Sequence, residues 1–197
     1  MKLYAFFKKI LKYVFWALFR LEVEGRENIP NDNALLVASN HISNWDPIIL
    51  AVASDRQIRF MAKASLFKIP ILCSLIKALG AFPVHRGEAD PSSLKHAINH
   101  LKNGDAVGIF PQGKRCMKTE PKDTEVKAGV GMIAYRSKAD VLPVSIKTVK
   151  YKIMPFRRVY IKFGKVIPNA DLKIESGTQQ EYKNASNYIF EKILELI

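Results

Sequence analysis

Cysteine is almost missing from this 197-residue chain: Cys73 and Cys116 stand far apart and form no CxxC pair. That removes the basis for a disulfide framework or a thiolate zinc site and points to a reducing, cytosol-facing compartment. Neither cysteine has a setting that suits a nucleophile, and there is no GxSxG elbow, so a covalent enzyme intermediate is not expected. HExxH and EF-hand patterns are missing too, and neither a metal nor another resident cofactor is expected. Acidic residues are few, 18 against 31 lysines and arginines, and the net charge is +13. So basic a chain selects anionic partners: nucleic acid, a phosphorylated metabolite or an anionic membrane surface. No recognition-helix signature or aromatic-interleaved basic sheet motif accompanies the charge, which makes nucleic acid the poorest fit of the three.

A long apolar run is also lacking. The N-terminal stretch LYAFFKKILKYVFWALFRL is aromatic, but Lys8, Lys9 and Lys12 interrupt it, and its longest uncharged part is Tyr13 to Phe19. A membrane span needs about 20 apolar residues, and no signal-peptide core with a cleavage site follows. On a helix, Leu3, Phe6, Phe7, Ile10, Leu11, Val14 and Leu18 gather on one side. Lys2, Lys8, Lys9, Lys12 and Arg20 lie opposite, with Trp16 and Phe19 near the margins. A basic face opposite a bulky apolar face suits a helix lying in a membrane interface, though it also suits one packed on a core. No acid precedes Glu22, which favours an anionic cytoplasmic leaflet. Residues 1–20 are therefore expected to form a membrane-association helix ahead of one domain over 21–197.

What is present is an alternation of strands and helices. ALLVAS (34–39), IRFMA (58–62), AFPV, AVGIF (106–110), VLPVSIKTV (141–149) and RVYIKFG (158–164) read as strands. Between and after them PIILAVAS, SLFKIPILCSLIKALG, DPSSLKHAINHLKNG, GVGMIAYRS and QQEYKNASNYIFEKILELI read as helices, the first capped by Asp46 and the third by Asp90. This order predicts an α/β domain of three layers, with a largely parallel, mixed central sheet flanked by helices. In such sheets ligands gather at the carboxyl ends of the strands. Three polar segments follow strands directly: SNHISNWD, HRGEAD and PQGKRC. They are expected to open onto one edge.

Each carries chemistry. In the first, His41 precedes Asp46 by five residues. A carboxylate bonded to one ring nitrogen leaves the other to accept a proton from a hydroxyl, a service worth about 10²–10⁴ in rate. Asp-Pro is equally a good helix start, and the two roles are compatible. In the second, Arg86 beyond a short strand offers a fixed bidentate cation for phosphate or carboxylate. In the third, Gly113 permits close backbone approach while Lys114 and Arg115 supply charge, without the spacing of a nucleotide P-loop. A histidine base without a protein nucleophile suggests that the substrate itself brings the hydroxyl. A thioester electrophile would permit direct attack.

In order, NHxxxxDP (40–47), GxFxVxR (80–86), FPxGxR (110–115) and LPV (142–144) resemble the glycerolipid acyltransferase family, typified by 1-acylglycerol-3-phosphate acyltransferases. The likeness covers roughly residues 21 to 167. It implies transfer of a fatty acyl group from acyl-CoA or acyl-carrier protein to a lysophospholipid hydroxyl at the cytoplasmic face of a membrane. By that likeness His41 is the base and Asp46 its orienting group, Arg86 and the Gln112–Arg115 loop hold the glycerol phosphate, and Lys63 assists. The family's third motif usually reads FPEGTRS, whereas here Gln112, Lys114 and Cys116 replace Glu, Thr and Ser. The site is about two charges more positive, which favours a phosphorylated acceptor and leaves another lysolipid, such as a lyso-ornithine lipid, open. A catalytically inactive membrane- or nucleic-acid-binding protein is the alternative from another class.

Overall fold

Residues 35 to 39, LLVAS, are buried along their whole length, as a strand covered on both faces must be. The structure, a computed structural model, describes residues 2–84 and 91–197. Its order is α1 (Lys2–Phe19), β1 (Leu21–Glu24), β2 (Leu35–Ser39), α2 (Asp46–Ala53), β3 (Ile58–Lys63), α3 (Pro70–Ala78) and β4 (Phe82–Val84). Then follow α4 (Pro91–Lys102), β5 (Ala106–Ile109), α5 (Gly129–Ser137), β6 (Asp140–Thr148), β7 (Val159–Phe163) and α6 (Gln179–Leu194). Among the described residues seven strands form one sheet in the order β1-β7-β6-β2-β5-β3-β4. Every neighbouring pair is parallel except β6 and β7.

Alternation along the strands divides the interior into two cores. Leu36, Ala38, Val107 and Val141 pack against α4, α5 and α6 through Leu101, Ile133 and Ile189. Leu35, Val37, Leu142 and Val144 face the other way, onto Ile49 and Leu50 of α2 and onto Phe15 and Phe19 of α1. These are the expected layers. Strand β1 has no counterpart in the sequence reading. Its four residues pair with β7 at the sheet edge and show one fully buried side chain, Leu21, too short a pattern to stand out.

Two local expectations change. Helix α2 begins at Asp46 itself, with Trp45 in the cap position and no side-chain cap; the Asp46 carboxylate turns back into the preceding loop. Among the described side chains of α1, Phe15 and Phe19 are buried in the core and Leu11 and Leu18 pack against it, whereas Ile10, Tyr13 and Val14 are exposed. The apolar side chains of that helix thus point both inward and outward. No helix among the described residues is long and apolar enough to cross a membrane.

The connections place the site. Strand β2 leads through α2, on one face, toward β3; adjacent β5 leads through α5, on the opposite face, back across β2 to β6. Loops leaving neighbouring strands toward opposite faces open a crevice at their carboxyl ends.

Candidate active site

Asn40 begins the loop after β2 by imitating a strand residue. Its Nδ2 donates to the Ile146 carbonyl at 2.8 Å, and its Oδ1 accepts the Ile146 N–H at 2.7 Å. This fixes the chain one residue before His41. The loop then folds around Asp46, which is wholly buried. Its Oδ2 accepts from Ile42 N–H at 2.7 Å and from Ser43 N–H at 2.8 Å, and lies 2.8 Å from His41 Nδ1. An oxygen already accepting two backbone N–H groups is an acceptor for the third, so Nδ1 carries the ring proton. Nε2 is left with a free lone pair. Burial pushes the Asp46 carboxyl above its ordinary range, with the bond to His41, its charge and the two backbone N–H groups pulling the other way. Among the described residues Asp46 Oδ1 has no hydrogen-bond partner.

The loop after β5 braces His41 from the other side. Gln112 Oε1 accepts the His41 N–H at 2.6 Å, and Cys116 N–H donates to the His41 carbonyl at 2.8 Å. The far end of Gln112 donates to Thr124 Oγ1 at 2.8 Å, and that hydroxyl donates to the Pro121 carbonyl at 2.6 Å. Gln112 is 1 % exposed, so both ends of its amide are committed within the protein. The His41 ring stacks on Phe110, centroids 3.9 Å apart and planes at 12°. Phe110 in turn lies 5.9 Å from Phe60. Phe60 sits opposite Gly108 in the sheet, and a Cβ on Gly108 would stand 2.1 Å from its ring. Glycine at 108 is what admits the aromatic row.

Beside His41 opens a cavity of about 460 Å³, lined mainly by apolar groups that include Met61, Leu94, Ile109, Val130 and Met132. Gly113 and Lys127 line it as well. Gly113 has φ +67°, the left-handed region that a side chain resists, and its N–H closes a turn onto Phe110. Lys114 and Arg115 follow on the surface, and Lys63 is exposed at the end of β3. Arg86 lies outside the described residues. Of the three polar segments, the first and third therefore meet around His41. Sequence reasoning missed Asn40 as an anchor, Thr124 as the partner of Gln112, the Phe60–Gly108 contact, and Lys127.

The acyltransferase family model matches residues 20–147. The 1-acyl-sn-glycerol-3-phosphate acyltransferase of Bacillus subtilis is 37% identical over 145 residues, 73% of this chain and 70% of that protein. The enzyme of the same name from Streptococcus pneumoniae is 32% identical over 178 residues, 86% of this chain and 64% of its own length. The crystal structure of PlsC, a 1-acyl-sn-glycerophosphate acyltransferase from Thermotoga maritima, matches with a TM-score of 0.70 at 28% identity. That match covers 96% of this chain and 79% of the other. With the His41–Asp46 loop inside the matched segment and the same fold around it, this chain belongs to the glycerolipid acyltransferase family.

Proposed function

We propose that the chain transfers a fatty acyl group from acyl-CoA or acyl-carrier protein to the sn-2 hydroxyl of lysophosphatidic acid, giving phosphatidic acid. The observation that carries this reading is the His41–Asp46 pair, 2.8 Å apart, at the head of an apolar cavity. Nε2 of His41 takes the acceptor's hydroxyl proton as the oxygen attacks the thioester carbonyl. The tetrahedral intermediate then expels the thiolate, and the imidazolium returns its proton to the sulfur. Asp46 holds the ring in the required tautomer and stabilises its charged form. The cavity takes the acyl chain, while Gly113, Lys114, Arg115, Lys63 and Arg86 serve the phosphate. Gln112 braces the His41 backbone, so its replacement of the family glutamate bears on the loop rather than on the acceptor.

The outward residues of α1 support an interfacial location. Tyr13 is 68% exposed and Val14 50%, while Trp16 and Trp45 beside them are also exposed. An apolar helix face in water beside a net charge of +13 suits the cytoplasmic surface of an anionic membrane.

The test is release of free thiol from acyl-CoA, and in parallel from acyl-carrier protein, with lysophosphatidic acid and anionic vesicles. Release that requires both acceptor and His41 is expected. Unchanged release by the His41→Ala variant would remove His41 from the chemistry. Release with a lyso-ornithine lipid but not with lysophosphatidic acid would reassign the acceptor.

A further inference from the structure

Outside the His41 crevice, one cluster of cations has no role in the reading above. A broad depression of about 640 Å³ is lined by Lys118, Lys150, Lys152 and Arg157, with Glu120, Tyr151 and Met154. Among the described residues none of the four cations makes an ion pair, and Glu120 is held by Lys122 at 2.9 Å. Beside these cations stand large apolar side chains in water: Met117 is 56% exposed, Val149 57% and Phe156 71%. Each of the three is the immediate chain neighbour of a cation, Lys118, Lys150 or Arg157.

Two loops build this surface, one after β5 and one joining β6 to β7, and they are tied together and to the rest of the crevice. Lys118 N–H donates to the Tyr151 carbonyl at 3.1 Å, two residues from the Cys116 N–H that holds His41. Phe156 N–H donates to the Leu18 carbonyl at 2.5 Å, in the last turn of α1. Because β6 runs parallel to β2, the loop after β6 stands on the same sheet edge as His41. Lys118, Lys150, Tyr151 and Phe156 all have positive φ, between 45° and 63°. Non-glycine residues hold that conformation only where the surroundings impose it.

We propose that these two loops dock the chain on an anionic phospholipid bilayer: Met117, Val149 and Phe156 enter the interface, and the four cations hold a lipid head-group phosphate. A soluble phosphate would account for the cations but would leave the three apolar side chains in water. A bilayer receives both, since its surface offers anionic phosphate above an apolar layer. The contact adjoins the last turn of α1, where Phe156 N–H meets the Leu18 carbonyl, and turns the His41 edge toward the membrane that supplies the acceptor. In this it deepens, and for its orientation rests on, the membrane-facing acyl-transfer reading.

The test is co-sedimentation of the full chain with vesicles of equal phosphatidylglycerol and phosphatidylcholine, against pure phosphatidylcholine, with coenzyme A binding measured separately. Binding to the anionic vesicles alone is expected. The Lys150→Ala/Lys152→Ala variant should bind them about 25-fold more weakly, about fivefold per cation. Phe156→Asn, chosen because asparagine tolerates the left-handed conformation, should also weaken binding, with circular dichroism melts confirming that both variants fold. Parent-like binding by either variant would overturn the proposal while leaving α1 as the membrane contact. Loss of coenzyme A binding with vesicle binding intact would overturn it in favour of a soluble phosphate ligand. Failure of the parent to bind anionic vesicles would overturn the docking outright. Thiol release in detergent would still decide the acyl-transfer reading on its own.

Discussion

Replacing Asp46 with asparagine removes a charge while conserving most of the local hydrogen bonding. The asparagine carbonyl can still accept from the Ile42 and Ser43 N–H groups that now bond Oδ2 at 2.7 and 2.8 Å, so the loop should keep its path. What disappears is the anion beside the His41 ring. Two unit charges about 4 Å apart interact by roughly 4 kcal/mol at an effective dielectric near 20. A proton about half transferred at the transition state would feel roughly half of that. Some 2 kcal/mol corresponds to about a 30-fold loss of kcat, and mixing of the ring tautomers would extend the loss toward 10³. The KM for the acceptor should move little, because Asp46 is wholly buried and cannot touch it. Steady-state thiol release by parent and variant, with a thermal melt of each, measures this. A raised KM at unchanged kcat would refute the orienting role, as would a rate loss accounted for by unfolding. The same pair yields a pH test. Burial raises the Asp46 carboxyl, so the folded chain binds its proton more tightly than the unfolded chain. The parent should lose stability relative to the variant as pH rises from the ordinary aspartate range through the folded-state value, with a constant difference above it.

Gly108→Ala would drive a methyl to within 2.1 Å of the Phe60 ring. A cost of about 2 kcal/mol, or a melting temperature lower by about 4–8 °C, should come with a reduced kcat, read by calorimetry and turnover, as the aromatic row beneath His41 shifts. Gln112→Ala leaves the buried His41 N–H without its acceptor, while the Thr124 hydroxyl loses one donor and keeps its bond to Pro121; the unpaired buried N–H costs about 1–3 kcal/mol. Gln112→Glu keeps the His41 acceptor but takes the Thr124 proton from Pro121, so urea unfolding should place it between parent and alanine variant. Arg56 donates to the carbonyls of Pro30, Asp32, Asn33 and Gly104. Arg56→Ala should lower stability by about 2 kcal/mol without altering turnover per folded molecule, as denaturant titration beside activity would show. Glu181, in the capping box of α6, is held down to about 2 by backbone N–H groups of Thr178, Ser176 and Glu175. Its contribution is present at neutral pH and fades as pH falls from the ordinary glutamate range toward 2. A Glu181→Gln chain should lose that acid-side slope in melts recorded across pH.

Periodicity carried the larger elements well. GVGMIAYRS is a helix over the same nine residues, because a buried stripe between a glycine start and a polar end leaves little freedom. The loops were less legible, for a physical reason: their side chains bond groups that are distant in sequence. Gln112 looks like a ligand contact on paper, since a polar residue after an apolar strand usually meets solvent or substrate. Its direction is set by a backbone N–H 71 residues away and a hydroxyl 12 residues on, and neither can be read from local spacing. Asp46 misled in a milder way. Asp-Pro does mark the start of α2, but three donors in the preceding loop compete for the carboxylate and win over the helix end.

Spacing alone would also have nominated a second site. His100 and Asp105 repeat the interval of His41 and Asp46, and their Nδ1 and Oδ2 atoms are likewise 2.8 Å apart. The resemblance ends there. Asp105 precedes β5, so the second pair lies at the amino edge of the sheet, away from the crevice. Its side chains are 29% and 28% exposed, against 8% and 0% for the first pair. Asp105 Oδ2 is shared with Arg59 Nε at 2.8 Å, which neutralises the carboxylate that an imidazolium would need. His100 rests against Phe82 as part of the α4 packing. The chemistry assigned to His41 therefore follows from its place at the carboxyl ends of β2 and β5, from a buried carboxylate whose donors are the ring and two backbone N–H groups, and from an adjoining apolar cavity. His100→Ala should accordingly lower stability modestly and leave turnover per folded molecule intact. Loss of turnover in that variant equal to the loss in His41→Ala would show that this assignment by position is wrong.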